Sequence, residues 1–388
     1  MLQFSKYQGL GNDFLVLDCR DLVPDGPDQG EPDRDIGLTP SLVRRLCDRR
    51  FGVGGDGVIL ALPPQQGGEL RMRIFNADGT EPEMCGNGIR CLARFLADND
   101  GDAPGRRWQV ETLAGRIVPE LCRDGAIRVD MGPPFLEPAS IPTTLPIGPA
   151  GVPQGILEVE GERFSVAAVG MGNPHVVIPV EDPDAIDLDR FGAALEVHPA
   201  FPARTNVHFV AVLAPDHLRM RVWERGAGPT LACGTGACAT LVACRLLGLS
   251  AAAARLDLPG GPLWIEWAGE GASVLMTGPA EVVFEGVLAP GFPGLESEDG
   301  DPEPPADALH DSPRLPGPAA EAPGPGADSI DCASACVTGC VRPEACASAE
   351  ARARVAALLE ARSLDELVAI ATASAAERRG LPPGSGDG

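Results

Sequence analysis

Apolar positions along this chain come in short runs, broken every few residues by Gly, Pro and Asp. The runs Phe14-Leu15-Val16-Leu17, Val58-Ile59-Leu60, Arg71-Met72-Arg73-Ile74 and Ile127-Arg128-Val129-Asp130 are short, alternating or β-branched, and bounded by turn residues, which predicts strands. Further strands are predicted at 166–169, 176–180, 207–213, 218–223, 263–267 and 280–284. Helical periodicity is rarer. Residues 40–50 repeat apolar positions at the helical period behind Thr39, a candidate cap. Residues 87–98 place Ile89, Leu92, Ala93, Phe95 and Leu96 on one broad face. Residues 236–247 are apolar almost throughout, the pattern of an enclosed helix.

Two of these helical stretches begin with the same device, Cys85-Gly86-Asn87-Gly88 and Cys233-Gly234-Thr235-Gly236. Each is preceded by a Gly-Asn element: Gly9-Leu10-Gly11-Asn12-Asp13-Phe14 before the first, Gly170-Met171-Gly172-Asn173-Pro174-His175 before the second. The same order appearing twice predicts a duplicated fold with a cleft between two lobes. A thiol at a helix N-terminus sits among unpaired N–H groups and the positive end of the helix dipole, a placement that lowers a cysteine pKa. Glycine after the thiol lets the N–H groups approach a ligand, and such a helix start suits a carboxylate. Two opposed starts then hold one carboxylate with a sulfur on either face of the adjacent carbon. That arrangement suits inversion: one thiolate removes the proton, the opposite thiol returns one to the other face. The carbanion needs preorganised donors around the carboxylate. No motif resembles a site for an electron-sink cofactor, so none is expected.

With 388 residues and 44% hydrophobic positions, the chain is long enough for two or three domains with real cores; at 4% aromatic, those cores are built from Ala, Val, Leu and Ile. The net charge of −24 argues against nucleic acid and against an anionic membrane surface. Residues 1–6 lack the pattern of a signal peptide and no apolar run reaches spanning length, so a cytoplasmic protein is expected. Twelve cysteines at unequal spacing read as free thiols or ligands rather than a disulfide framework. Cys19, Cys47, Cys91, Cys122, Cys238 and Cys244 are expected as small buried hydrophobes. Residues 24–35 read as a polar loop. From 293 the character changes: 296–326 are rich in Pro, Gly, Asp and Glu, a linker composition, followed by Cys332, Cys336, Cys340 and Cys346 and an Ala-rich helical stretch. Those four thiols are candidate zinc or iron–sulfur ligands at a spacing unlike the usual Cys-x2-Cys pairs, and a flexible appendage is the weightier reading. No metal is expected elsewhere.

The motifs taken together resemble one family. Gly11-Asn12-Asp13-Phe14, the 75–91 segment, Gly172-Asn173-Pro174-His175, Asn206-Val207 and the 224–239 segment are similar, in order, to those of the diaminopimelate epimerases, cofactor-independent enzymes of lysine and cell-wall precursor synthesis. The resemblance covers residues 2–287. It implies an α/β (α+β) fold of two pseudo-symmetric lobes, each a mostly antiparallel sheet wrapped around a central helix, with the active site in the cleft between them. The lobes are expected at 1–130 with a returning segment 276–292, and at 131–275, before a linker at 293–328 and a tail at 329–388. By resemblance, Cys85 and Cys233 are the two bases, and the protein is a homodimer. Gly86, Asn87, Gly234 and Thr235 bind the reacting carboxylate through backbone N–H groups. Asn12, Asn76, Asn173, Asn206 and Arg225 position the rest of the substrate, with Arg225 clamping the distal carboxylate. Glu224 accepts the reacting ammonium, and His175 is an auxiliary group. Gly57 and Pro229 depart from the commonest family pattern, which has glutamine and glutamate there. The alternatives are a related two-cysteine racemase or isomerase on another substrate, such as proline, and a non-catalytic binding or redox-sensing protein.

Overall fold

The computed structural model describes residues 2–21 and 38–293. The expected loop at 24–35, the linker and the tail with its four cysteines lie outside the described residues.

The chain opens with β1 (Gln3–Gly9), β2 (Asn12–Asp18), α1 (Pro40–Cys47), β3 (Gly57–Leu62), β4 (Leu70–Asn76) and α2 (Gly86–Asp100). Short strands β5 (Val110–Thr112), β6 (Gly115–Ile117), β7 (Glu120–Leu121), β8 (Ile127–Asp130) and β9 (Gln154–Val159) follow. The opening order then recurs as β10 (Glu162–Gly170), β11 (Pro174–Pro179), α3 (Leu188–Glu196), β12 (Asn206–Ala214) and β13 (His217–Glu224). After β14 (Gly228–Thr230) come α4 (Gly234–Leu246), β15 (Ala253–Leu258), β16 (Gly261–Trp267), β17 (Val274–Gly278) and β18 (Glu281–Val287).

The repeat extends to strand polarity. In a seven-stranded sheet ordered β18-β1-β2-β3-β4-β5-β6, the pairings β1/β2, β2/β3, β3/β4 and β4/β5 run antiparallel, parallel, antiparallel, parallel. In an eleven-stranded sheet, β10/β11, β11/β12, β12/β13 and β13/β15 run in the same sequence of senses. The second sheet continues through β16 and β17 to β8 and β7, while β18 returns to pair with β1. Each lobe carries one central helix: α2 packs on β1, β2, β3 and β18, and α4 on β10–β12 and β15–β17. Gly11 and Gly172 make the corresponding turns after β1 and β10, with φ of +82° and +85°, a left-handed backbone that glycine adopts without Cβ strain.

Local chemistry explains the helix starts. Thr39 Oγ1 accepts the Leu42 N–H at 3.2 Å with Pro40 in the first turn, as expected of α1. Asp187 caps α3 in the same way, bonding Arg190 N. Sequence periodicity passed over α3, whose short apolar stripe of Leu188, Phe191 and Leu195 sits between polar turns. It also passed over β1, β9, β15 and β17, whose mixed polarity reflects strands that each bury one face. In α4, Gly234 and every residue from Gly236 to Cys244 are buried, as its composition predicts. No helix among the described residues is long and apolar enough to cross a membrane.

Candidate active site

The strand-to-helix connections β4–α2 and β13–α4 deliver Cys85 and Cys233 to equivalent places. Each is the N-cap residue of its helix, in extended conformation, with no side chain bonding the first turn. The N–H groups there are left for the sulfurs: those of Asn87 and Gly88 for Cys85, that of Gly236 for Cys233. The two starts meet face to face. A Cβ built on Gly86 would lie 3.9 Å from Gly234 Cα, and one on Gly234 would lie 3.8 Å from Asn87 Oδ1. Met276 of β17 packs against both glycines.

A cavity of about 720 Å³ opens at this meeting point. Of the residues singled out in the sequence, Asn12, Asn76, Cys85, Gly86, Asn87, Asn173, Glu224, Arg225, Cys233, Gly234 and Thr235 line it. Asn206 and His175 stand behind the wall. Asn206 is buried, with Oδ1 accepting the Arg225 backbone N–H at 2.9 Å and Nδ2 donating to Pro174 O at 2.8 Å. It ties the Arg225 backbone to β11. Gly57 carries no side chain into the site, and a Cβ there would lie 2.3 Å from Phe75 O.

On the α2 side a polar chain orients Asn12. Its Nδ2 donates to Asp56 Oδ2 at 2.8 Å, which turns Oδ1 toward Asn87 Nδ2 (3.1 Å) and Cys85 Sγ (3.9 Å). Asp56 is held by Arg49, which also bonds Asp13, and Lys6 reaches Asp13 at 2.8 Å. Burial raises the Asp13 carboxyl, but hydrogen bonds from Arg49 and Lys6 outweigh it and bring its pKa to about 2. Asn87 Oδ1 in turn accepts from Arg90, a fully buried arginine.

On the α4 side the neighbours differ. Glu224 accepts from Thr230 Oγ1 at 2.5 Å and from the Cys233 thiol, and Thr235 Oγ1 lies 3.6 Å from Cys233 Sγ. Behind Asn173 runs a histidine pair: Asn173 Oδ1 meets His175 Nε2 at 2.7 Å, and His175 Nδ1 meets His208 Nε2 at 2.9 Å. His208 Nδ1 is buried without a partner among the described residues. An unpaired buried lone pair costs less than an orphaned N–H, so the donors run from His208 to His175 to Asn173, leaving the Asn173 amide N–H groups to face the cavity. The His208 ring presses on the α4 start, where a Cβ at Gly236 would come within 2.2 Å of Cε1. Burial holds both imidazoles neutral, His208 down to about 3.

The helix-start argument predicts lowered thiols, and the structure corrects it. Burial pushes both Cys85 and Cys233 up, against the N–H donors that lower them. Glu224 raises both further, and it bonds Cys233 directly; Arg90 acts on Cys85 in the opposite sense. Burial also pushes the Glu224 carboxyl up. A buried thiol with a raised pKa is a stronger base once ionised, which suits removal of a weakly acidic C–H proton.

Asp56, Arg49, Arg90, His208 and Thr230 belong to this machinery and were missed in the sequence. Only Arg90 carried a signal there: a charge on a helix whose neighbours Ile89, Cys91, Leu92 and Ala93 are all apolar. All eight cysteines among the described residues are free thiols, and the six outside the two motifs are buried apart from the half-buried Cys122.

A family profile described as "Diaminopimelate epimerase" matches residues 4–136 and 167–283. The diaminopimelate epimerase of Prochlorococcus marinus (strain MIT 9313) is 61% identical over 290 residues, 75% of this chain and 93% of that protein. That of Acaryochloris marina (strain MBIC 11017) is 55% identical over 292 residues, covering 75% and 99%. Among solved structures, a probable proline racemase from Agrobacterium radiobacter K84 superposes with a TM-score of 0.52 over 76% of this chain and 94% of that one. At 19% identity that likeness establishes a shared two-lobed fold alone.

Proposed function

The chain belongs to the diaminopimelate epimerase family, and on that premise we propose that it interconverts LL- and meso-2,6-diaminopimelate with Cys85 and Cys233 as its two acid/base groups. The observation that carries the reading is the convergence of two cysteine-capped helix starts on one cavity, close enough that Gly86 and Gly234 nearly touch. In the forward direction one thiolate takes the α-proton and the facing thiol delivers its own to the opposite face; the reverse direction exchanges the roles. The reacting carboxylate sits on the backbone N–H groups at Gly86, Asn87, Gly234 and Thr235, where the charge that develops on deprotonation meets preorganised donors. No cofactor is called on. Glu224 receives the reacting ammonium. Asn76 and Asn173 at the wall and Arg225, anchored by Asn206, address the distal amino-acid group. The product serves lysine and cell-wall precursor synthesis, and the free thiols suit a reducing cytoplasm.

The chain acts as a homodimer in this reading. Among the described residues strand β18 is an end strand of the first sheet with no partner on its outer side, and it leaves Val282, Val283, Phe284 and Val287 around half exposed. Sedimentation showing a dimer that Val283→Lys splits supports that edge as the contact; a monomeric wild type removes it.

The reaction is tested by incubating the protein with LL- or meso-diaminopimelate in D2O under reducing conditions. Deuterium incorporation with inversion in the wild type, and loss of the inversion in both Cys85→Ala and Cys233→Ala, is the expected result. Exchange from proline in place of diaminopimelate overturns the substrate assignment.

A further inference from the structure

Most charged arginines among the described residues find carboxylates: Arg20 bonds Asp18 and Asp100, Arg49 bonds Asp13 and Asp56, Arg73 bonds Glu81. Arg90 does not. It is 0% exposed, and its guanidinium donates only to neutral acceptors: Gly86 O at 3.1 Å, Asn87 Oδ1 at 2.9 Å, Pro279 O at 3.3 Å and Met276 Sδ at 3.6 Å. No carboxylate among the described residues pairs with it. Burying a cation without a counter-charge costs several kcal/mol, and a hydrophobic side chain of similar volume would fill the same space without that penalty. The ionisable groups facing it are thiols: Cys91 and Cys85 from its own helix and Cys238 from α4. Burial pushes Cys91 and Cys238 to about 12, so neither supplies an anion near neutral pH. Cys85 alone among them lines the cavity.

We propose that Arg90 is a positioning residue for the first helix start. Its buried, carboxylate-free guanidinium supplies the standing positive charge that the Cys85 thiolate and a bound carboxylate require, and it clamps Asn87 toward Asn12. The counter-charge arrives only when the site is in use. Two of its acceptors, Gly86 O and Asn87 Oδ1, belong to the very turn that presents N–H groups to the cavity, so charge and geometry are delivered together. Among the described residues no cation acts on Cys233 at the second helix start; Glu224 stands beside it. The other groups acting on Cys85 are the Asn87 and Gly88 N–H donors and Glu224, and on Cys91, Cys85 and Asp13.

The inference rests on the two-thiol reading, and its test needs no diaminopimelate, so failure here is separable from failure of the exchange experiment. Alkylation of Cys85 by iodoacetamide is followed across pH, with peptide mass spectrometry counting the modified residue. Arg90→Gln keeps a donor for Asn87 and removes the charge; it should move the midpoint up by about one pH unit and slow alkylation at pH 7 by about tenfold. Arg90→Lys keeps the charge and should stay within about threefold of wild type at pH 7, since an ammonium retains the field without the fork. An unchanged midpoint in Arg90→Gln, or Lys and Gln falling together in step with their melting temperatures, overturns the proposal. The wild-type protein gives a measurement that needs no variant: Cys85 must titrate below Cys233, and the reverse order overturns it equally.

Discussion

Against the first turn of α2 lies an arginine; against the cysteine of α4 lies a glutamate. The two helices start with the same Cys-Gly-x-Gly device, each capped by its cysteine in extended conformation, and grow from strands paired in the same order and sense. Around Cys85 the supporting network is charged, running from Asn12 through Asp56 to Arg49, with Arg90 on the other side. Behind Asn173 it is neutral, a histidine pair ending in a buried lone pair, and the ionisable group at Cys233 is the carboxyl of Glu224. A duplicated backbone therefore supplies two equivalent thiols, and substitutions around it make them inequivalent in charge. That is what a two-base inversion needs, because at any moment one sulfur must be ionised and the other protonated.

The largest expected effect comes from removing one member. Cys85→Ala and Cys233→Ala should each lower epimerisation by roughly 10²–10⁴-fold, the usual worth of a positioned acid or base. Each single-thiol variant should still wash deuterium into one stereoisomer, with retention, and the two variants should prefer opposite isomers. Equal preference in both would break the assignment of one sulfur to each face.

Charge can be changed without touching sulfur. Glu224→Gln removes the carboxylate that raises Cys233, so the pH midpoint for Cys233 alkylation should fall while kcat drops about tenfold or more as the ammonium loses its acceptor. A midpoint that does not move would mean that burial alone sets this thiol.

Packing separates the halves as well. Gly236→Ala drives a methyl into the His208 ring and should cost about 1–3 kcal/mol in urea unfolding. Gly86→Ala meets the flexible side-chain ends of Met276 at 3.2 Å and Met131 at 3.5 Å, with Gly234 Cα no nearer than 3.9 Å, and should cost about 1 kcal/mol or less. Equal costs would show that the ring gives way as readily as the thioether.

The smallest effect is a pH dependence. His208 is held neutral in the folded protein, down to about 3, whereas its unfolded pKa is near 6.5. The unfolded chain then binds the extra proton first, so stability is full above about pH 6.5 and declines as pH falls toward the folded value. The loss from His208 at pH 5.5 should be about 1.4 kcal/mol relative to pH 7.5. His208→Gln, which keeps an Nε donor for His175, should flatten that slope, read from urea midpoints at the two pH values. An unaltered slope would assign the acid sensitivity to other groups.

What sequence alone determined here was local or repeated. The Cys-Gly-x-Gly helix starts, the Gly-Asn turns, the Thr39 cap and the enclosed character of α4 each depend on residues a few positions apart, and the same order appearing twice reveals the duplication. Tertiary structure decided which groups surround each thiol. Asn12 finds Asp56 across 44 positions, His175 finds His208 across 33, and Arg90 finds Pro279 across 189. It also decided the sign of the thiol shifts, because a helix start seen in sequence offers only N–H donors, while the degree of burial that outweighs them exists only once both lobes have closed around the cavity.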